Sequence, residues 1–352
     1  MTVPAASVWP DVLAPLLRRE ALDAQRVEAA MTTIFEGEAS DAQIAGFAVA
    51  LRAKGETPEE LAAMVRTMLR FATPVWLHDA TTPVVDTCGT GGDRSHSVNV
   101  STLAALVVAG AGVRVAKHGN RAASSACGSA DLLEALGVVI ELGPEGVARC
   151  VDEAGIGFCF APRFHPAMRF AGPARGQLGV PTTFNFLGPL ANPARVRRQV
   201  VGVSDPAMAE RMLATLVELG AERAMVVHGA DGLDELTTTT VSDVVELVDG
   251  DVRRRVVDPA ELGLARVEPG ALVGGDPQCN ADIARRLLDG EPGPVRDVVV
   301  LNAAAALHVA GVAADLAEGL VQASDALESG RAGTALDKFV KVSRAAAEAE
   351  RG

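Results

Sequence analysis

Apolar residues between positions 8 and 72 recur at helical spacing. Leu13, Leu16 and Leu17 are followed by Val27, Ala30, Met31 and Ile34, then by Ile44, Phe47 and Leu51. Recurrence at three and four residues lays one stripe along each helix, and nothing in this stretch alternates as a strand does. Thr57-Pro58-Glu59-Glu60 adds a start signal, with Thr as N-cap, Pro at the first helical position and Glu60 closing a capping box. Residues 1–76 are expected to form a small helical domain whose task is packing.

The pattern changes after Pro74. A strand at Val84-Val85-Asp86 ends in a glycine loop, and a long apolar helix starts near Val98. The pattern then predicts a strand over 113–116, a helix over 126–136 stopped by Gly137, a strand over 138–140, a helix from Pro144 to Ala154 and a strand over 156–160. Short strands alternating with helices imply right-handed crossovers and a mostly parallel sheet covered on both faces. Alternation stops between 162 and 193, a stretch rich in Pro, Gly, Arg and Asn. About 165–195 reads as a return into the helical domain, interrupting an α/β domain of 77–352. Within it, Phe184 to Pro193 reads as a rigid, turn-rich connector. The alternation resumes with a strand over 200–203, a helix opened by Asp205-Pro206 and a strand over 224–228. Residues 244–273 alternate weakly and suggest two or three added strands. The chain closes with 298–301 and Ala-rich helices.

Length agrees with two domains, since a single core usually splits beyond about 300 residues and this chain has 352. It is 49% hydrophobic and 22% charged, with no Tyr and 2 Trp, so Ala and Val must fill most of an ordered interior. The net charge of −13 argues against a nucleic-acid partner, whose backbone requires a cationic footprint. Cys88, Cys127, Cys150, Cys159 and Cys279 are odd in number and lack metal-ligand spacing. They read as small buried hydrophobes in a reducing compartment. The N-terminus has no basic region before an apolar run, and the most apolar tracts, 103–111 and 303–310, are too short to span a bilayer. No membrane role is expected, and the cytoplasm is the expected location.

Candidate chemistry gathers at strand ends. Gly89-Thr90-Gly91-Gly92-Asp93 frees backbone amides to approach an oxyanion ahead of a helix N-terminus, or forms only a tight turn. It lacks the spacing of a Walker or dinucleotide loop. Asn99-Val100-Ser101-Thr102 places more side-chain oxygens at a helix start than capping needs. Lys117-His118-Gly119-Asn120-Arg121, with Ser124, Ser125 and Ser129 beyond it, is a donor-rich cluster at the edge where α/β sheets bind ligands. Lys117 reads as a mobile point charge, and Arg121 either as a ligand contact or as a structural partner of a nearby carboxylate. Asp234-Glu235, on a glycine-rich loop, suits Mg²⁺ or is a solvated acidic turn, with Asp231 as a possible substitute ligand. His165-Pro166 and Arg175 lie in the non-alternating stretch, where Arg175 is either a surface residue or a fork for a carboxylate. No nucleophile elbow is present, which fits a reaction run by positioning and charge stabilisation.

In combination and order, Asp86 to Asp93, Asn99 to Thr102, Lys117 to Arg121, Gly128-Ser129-Ala130-Asp131, Phe184 to Pro193 and Asp234-Glu235 resemble the anthranilate phosphoribosyltransferase family. The likeness continues through Gly274-Gly275-Asp276, Arg296-Asp297 and Leu301 to Ala306, nearly the whole chain. It implies a nucleoside phosphorylase class II-like fold with the site in a cleft between the two domains, and a homodimer joined through the helical ones. The implied reaction moves the phosphoribosyl group of PRPP onto the amine of anthranilate, with Mg²⁺, two ions per subunit. The likeness assigns Gly89, Gly92, Asp93, Ser97, Asn99, Val100, Ser101 and Thr102 to PRPP. It adds Lys117, His118, Gly119, Asn120, Arg121, Ala122, Ala123, Ser124, Ser125 and Ser129 to the same substrate. Gly89, Asn120 and Arg175 match anthranilate contacts, and Ser101, Asp234 and Glu235 match metal ligands. Lys117, Asp234 and Glu235 carry the catalytic expectation. Gly176, Gln177 and Pro181 depart from the family pattern beside Arg175 and alter the charge expected there. The alternatives are a pyrimidine nucleoside phosphorylase on the same fold, which would not need Arg175 or the acidic pair, and a non-catalytic nucleic-acid-binding homologue, which should have gained a basic surface.

Overall fold

The computed structural model describes residues 8–79, 81–122 and 126–351. Four helices open the chain: α1 (Trp9–Leu17), α2 (Ala24–Phe35), α3 (Asp41–Lys54) and α4 (Pro58–Arg70). Ser40 and Thr57 close capping boxes at the starts of α3 and α4. Glu60, fully buried, does more than cap: it accepts from the Leu22 and Thr57 amides at 2.8 Å each and pairs with Lys54 at 2.7 Å. A buried carboxylate with this many donors is compensated, and it ties α4 to the loop before α2.

The α/β part begins with β1 (Val84–Gly89), α5 (Val100–Gly110), β2 (Arg114–Gly119), α6 (Ser129–Ala135), α7 (Pro144–Ala154) and β3 (Ile156–Phe160). Short helices α8 (Ala161–Phe164), α9 (Gly172–Leu178) and α10 (Phe184–Leu190) follow. Next come β4 (Arg198–Gly202), α11 (Ala209–Glu218), β5 (Arg223–Gly229), β6 (Ser242–Val248) and β7 (Asp251–Val257). Helices α12 (Pro277–Leu288), α13 (Pro294–Ala310), α14 (Leu316–Glu328) and α15 (Arg331–Ala349) complete the chain. The 7-stranded sheet runs β3-β2-β1-β4-β5-β6-β7. Its first five strands are parallel, and β6 and β7 extend it antiparallel. The expected weak extension over 244–273 is thus two strands.

Alternate residues along the strands face two cores. Val85, Val115, Phe158, Val200 and Met225 pack with α5 and α13. Cys88, Val201, Ala224 and Val226 pack with α11, α10 and the helices α1–α4. Small residues make these contacts close: a Cβ on Gly319 would meet the Ala304 carbonyl oxygen at 2.7 Å. That is how a chain poor in aromatic residues fills its interior.

Three local expectations need correction. Residues 138–140 are buried but form no strand, because the Val138 amide donates to the Leu133 carbonyl and the Val139 amide to Ser343 Oγ of α15. The expected connector at 184–193 begins as helix α10, with Phe184, Phe186, Leu187 and Leu190 buried. Residues 298–301 lie inside α13. Of the five cysteines, Cys279 is exposed and the others are buried.

Candidate active site

The strand order reverses between β1 and β4, and a parallel sheet opens a crevice at the C-terminal ends of its strands where that happens. Both strands end there in glycine, Gly89 opposite Gly202. The loop after β5 drops Asp234 into the gap. A Cβ on Gly89 would lie 2.3 Å from Asp234 Oδ2, and one on Gly202 would lie 1.5 Å from the Asp234 carbonyl oxygen. Only glycine at both positions lets this acidic loop approach.

Asp234 Oδ2 accepts the Gly91 amide at 2.6 Å, and Glu235 Oε1 accepts the Ser101 amide at 3.2 Å. The carboxylates therefore bridge the loop after β1 and the N-terminus of α5. Both are nearly buried, at 8% and 9% exposure. Burial holds both well above the usual carboxylate range, reinforced at Asp234 by Asp93 and at Glu235 by Asp234. Among the described residues, no Lys, Arg or His lies within ion-pairing distance of either. Two adjacent buried oxygen-donor groups, whose charge the Gly91 and Ser101 amides and Lys117 offset in part, suit a hard divalent cation. The described residues contain no cluster of three or more His, Cys, Asp or Glu placed to hold a metal. A cation here would complete its shell with hydroxyl, water or substrate oxygens, the usual situation for Mg²⁺.

The loop carrying Gly91, Gly92 and Asp93 has an uncommon backbone. Gly91 and Gly92 have positive φ, and so do Arg94 at 58° and His96 at 54°. Asp93 accepts from Ser95 Oγ, which in turn accepts from the Ser97 amide and lies 3.1 Å from Ser97 Oγ, and Ser97 bridges to Val273. Asn99 sits at the cap position of α5 without capping it. Its amide donates to the Cys127 carbonyl, and its oxygen accepts from Asn280. Val100 is buried; Ser101 accepts from Lys117 Nζ at 3.3 Å, and Thr102 Oγ1 is buried without a partner.

Lys117 lies inside β2 and is not mobile. At 2% exposure, its ammonium donates to the Thr87 carbonyl and Ser101 Oγ. Asp86, fully buried on the neighbouring strand, accepts the His118 amide at 3.1 Å and Asn192 Nδ2 at 2.7 Å. Burial raises the Asp86 pKa, and the charge of Lys117 opposes the shift. His118 Nδ1 faces the Gly188 carbonyl at 2.8 Å, Nε2 has no partner, and the ring meets His165 edge-on at 5.1 Å. Burial brings His118 down to about 3 and His165 to about 4, so both rings are neutral near pH 7.

Gly119 closes β2, where a Cβ would meet Ser129 Oγ at 2.3 Å. Asn120 and Ser129 exchange hydrogen bonds of 3.2 and 3.1 Å. Arg121 pairs with Asp131 at 2.9 Å and with Glu134, which is the structural alternative for that side chain. Asp131 also accepts the Ala122 and Gly128 amides. Ala123, Ser124 and Ser125 lie outside the described residues. Arg175 stands on α9, its guanidinium 5.9 Å from the Phe184 ring centre. Its Nε is buried without a partner, and burial lowers its pKa. Gln177 donates to Asp41 at 3.0 Å on the outer side. Asp231 accepts from the Thr237 and Thr239 hydroxyls, so it organises the loop instead of standing free as a ligand.

Asp86, Asn192 and Gly202 support this site, although the sequence reading gave none of them a role in it. A glycine closing an apolar strand was the available signal for Gly202. A cavity of about 290 Å³ lined by Arg66, Leu190, Gln199 and Leu216 includes none of the residues expected to bind substrate.

A family model described as the helical bundle domain of a glycosyl transferase family matches residues 10–72, and its α/β domain model matches 81–333. An anthranilate phosphoribosyltransferase from Salinispora arenicola is 54% identical over 96% of this chain and 97% of its own. One from Nocardioides is 53% identical over 95% and 98%. A crystal structure of the enzyme of that name from Thermus thermophilus superposes with TM-score 0.89 at 46% identity, covering 95% of this chain and 99% of the other. The Saccharomyces cerevisiae enzyme in complex with PRPP and Mg gives 0.87 at 26% identity, covering 97% and 99%.

Proposed function

The chain belongs to the anthranilate phosphoribosyltransferase family, and from that premise we propose how its residues carry the reaction. It transfers the 5-phosphoribosyl group of PRPP to the amine of anthranilate, a step of tryptophan biosynthesis. The C1–O bond to diphosphate breaks, the C1–N bond forms with inversion, and the amine nitrogen releases a proton to solvent. The neutral aryl amine is already nucleophilic, and no general base is assigned.

The observation that carries the assignment is the meeting of a buried carboxylate pair, a buried ammonium and a glycine-rich loop at one switch point of the sheet. The 91–93 loop, the N-terminus of α5 and Lys117 would hold the diphosphate, because free amides, helix polarity and a fixed cation all favour anions there. Asn120 and the Ser129 side of the loop would seat the ribose end. Arg175 would receive the anthranilate carboxylate. Asp234, Glu235 and Ser101 would hold magnesium, two ions per subunit. Bound there, magnesium supplies positive charge against the charge that builds on the departing diphosphate. The chain would act on these small substrates as a cytoplasmic homodimer joined through its helical domain, with the 165–195 segment forming part of that domain. Among the described residues, no helix is long and apolar enough to cross a membrane.

The test is conversion of PRPP and anthranilate to diphosphate and N-(5-phosphoribosyl)anthranilate, with and without Mg²⁺. Turnover should require the metal. It should vanish at ordinary Mg²⁺ in a folded Asp234→Ala/Glu235→Ala protein, and near-normal activity there would sink the metal assignment.

A further inference from the structure

The acidic loop joins β5 to β6, and its two carboxylates repel each other inside a nearly dry gap. The Gly91 and Ser101 amides hold its carboxylates, and its backbone needs an anchor of its own. Asn302 provides it. It lies in α13 among residues 298–310, every one of them buried, and is itself 3% exposed. Its Oδ1 accepts the Leu236 amide at 3.0 Å. Its Nδ2 donates to the Leu236 carbonyl and, back along its own helix, to the Val298 carbonyl, each at 2.8 Å. The Leu236 amide belongs to the peptide unit that begins at Glu235, so Asn302 grips the chain immediately behind that carboxylate.

The other anchors act on the two carboxylates, through the Gly91 and Ser101 amides, and on the residues flanking 234–236. Asp231 gathers the Leu233 amide and the Thr237 and Thr239 hydroxyls, and the Thr237 amide donates to Ser242 Oγ at 3.0 Å. Among the described residues, Asn302 provides the side chain bonded to the backbone of 234–236. Leu236 is fully buried, so water cannot replace these bonds. A buried polar side chain whose every group is used, set between the apolar runs 298–301 and 303–307, specifies one arrangement of the segment it touches.

We propose that Asn302 is a positioning residue for the metal-holding carboxylates: by bonding both backbone groups of Leu236 it fixes where Glu235, and with it Asp234, points. This rests on the reading that Asp234 and Glu235 hold the divalent cation. Residues that orient ligands from behind typically change metal affinity by about 10–100-fold when removed.

The experiment compares wild type, Asn302→Ala, Asn302→Asp and Ser343→Ala. Mn²⁺ binding in the presence of PRPP is read by electron paramagnetic resonance, and the Mg²⁺ dependence of turnover is measured alongside it. Asn302→Asp keeps an acceptor for the Leu236 amide but turns a second acceptor toward two carbonyls. Ser343, fully buried on α15, anchors a backbone amide remote from the loop and reports general loss of stability. Both Asn302 variants should bind Mn²⁺ about 10–100-fold more weakly. Excess Mg²⁺ should restore most of their turnover, with the anthranilate KM within about 2-fold. Ser343→Ala should lose thermal stability and keep wild-type Mn²⁺ affinity. Unchanged Mn²⁺ affinity in a folded Asn302 variant, or an equal loss in Ser343→Ala, overturns the proposal. Should neither Asn302 variant fold, hydrogen exchange in the wild-type protein decides: the Leu236 amide must be protected like the core, and exchange as fast as at 238–240 overturns the role. Asp234→Ala/Glu235→Ala separates the two readings. If that protein keeps its Mn²⁺ affinity, the metal assignment itself fails; if it loses affinity while the Asn302 variants keep theirs, only the positioning role fails.

Discussion

Arg175 and Lys117 show how differently two cations can be used. Lys117 has its partners already, the Thr87 carbonyl and Ser101 Oγ, and these fix where its charge sits. Arg175 is half-buried with Nε unbonded and the Phe184 ring 5.9 Å from its guanidinium, which leaves a donor free for an arriving anion. A desolvated, charge-assisted pair is worth about 2–5 kcal/mol when one partner is truncated. Arg175→Ala should therefore raise the anthranilate KM by at least about tenfold, with much less effect on the PRPP KM. Lys at this position should rescue in part, because it restores charge without the planar fork. Steady-state kinetics with anthranilate and with aniline check this: if the variant loses aniline turnover as severely, Arg175 supports structure and not the carboxylate. The sequence identified these cations as candidates. It could not tell the buried, committed Lys117 from a mobile one, nor show that Arg121 is paired with Asp131 and Glu134, since pairing depends on which elements become neighbours.

Strand ends and helix starts carry the site, and their geometry makes a sharp test possible. Gly202→Ala puts a methyl group against a backbone carbonyl that cannot rotate away. The expected cost is about 1–3 kcal/mol of stability, as for other overpacked positions, with turnover nearly lost because Asp234 must move. Gly333→Ala in α15 has its nearest obstacle at an ordinary 3.7 Å. It should keep activity and gain up to about 1 kcal/mol from helix propensity. Thermal melts and turnover of the two proteins measure the contrast, and a fully active Gly202→Ala would contradict the close approach. At this scale β1, β2, β3, β4 and β5 were legible because an apolar run stood before a turn or glycine. The run at 138–140 had the same look. Its amides bond to a helix end and to Ser343 because β3 already occupies the open side of β2. Helix α10 was hidden by its Gly, Pro and Asn content, which argued for a turn. Burial of Phe184, Phe186, Leu187 and Leu190 overrides that weak local preference.

On the whole molecule, the helical part leaves Leu17 79% and Val49 46% exposed on α1 and α3, two helices that pack together. An apolar pair of this kind suits the homodimer proposed above. Sedimentation at micromolar concentration should show a dimer, and Leu17→Glu should shift it toward monomer; a wild-type monomer would refute the assembly. Periodicity alone does not separate Leu16, 2% exposed, from Leu17, and the stripe they share with Leu13 is the one expected to be partly covered by a second subunit. By itself, the sequence determined the helical start, the mostly parallel sheet and the residues proposed for the chemistry, because these depend on spacing, glycine placement and side-chain type. Only the tertiary structure decided that Gly89 and Gly202 face each other around Asp234, that Asn302 reaches back to Leu236, and that Asp86 links Asn192 to β2. The Asn302–Leu236, Asp86–Asn192 and Gly89–Gly202 contacts join residues 66, 106 and 113 positions apart, and no local pattern encodes a distance closed by strand order and crossover connections.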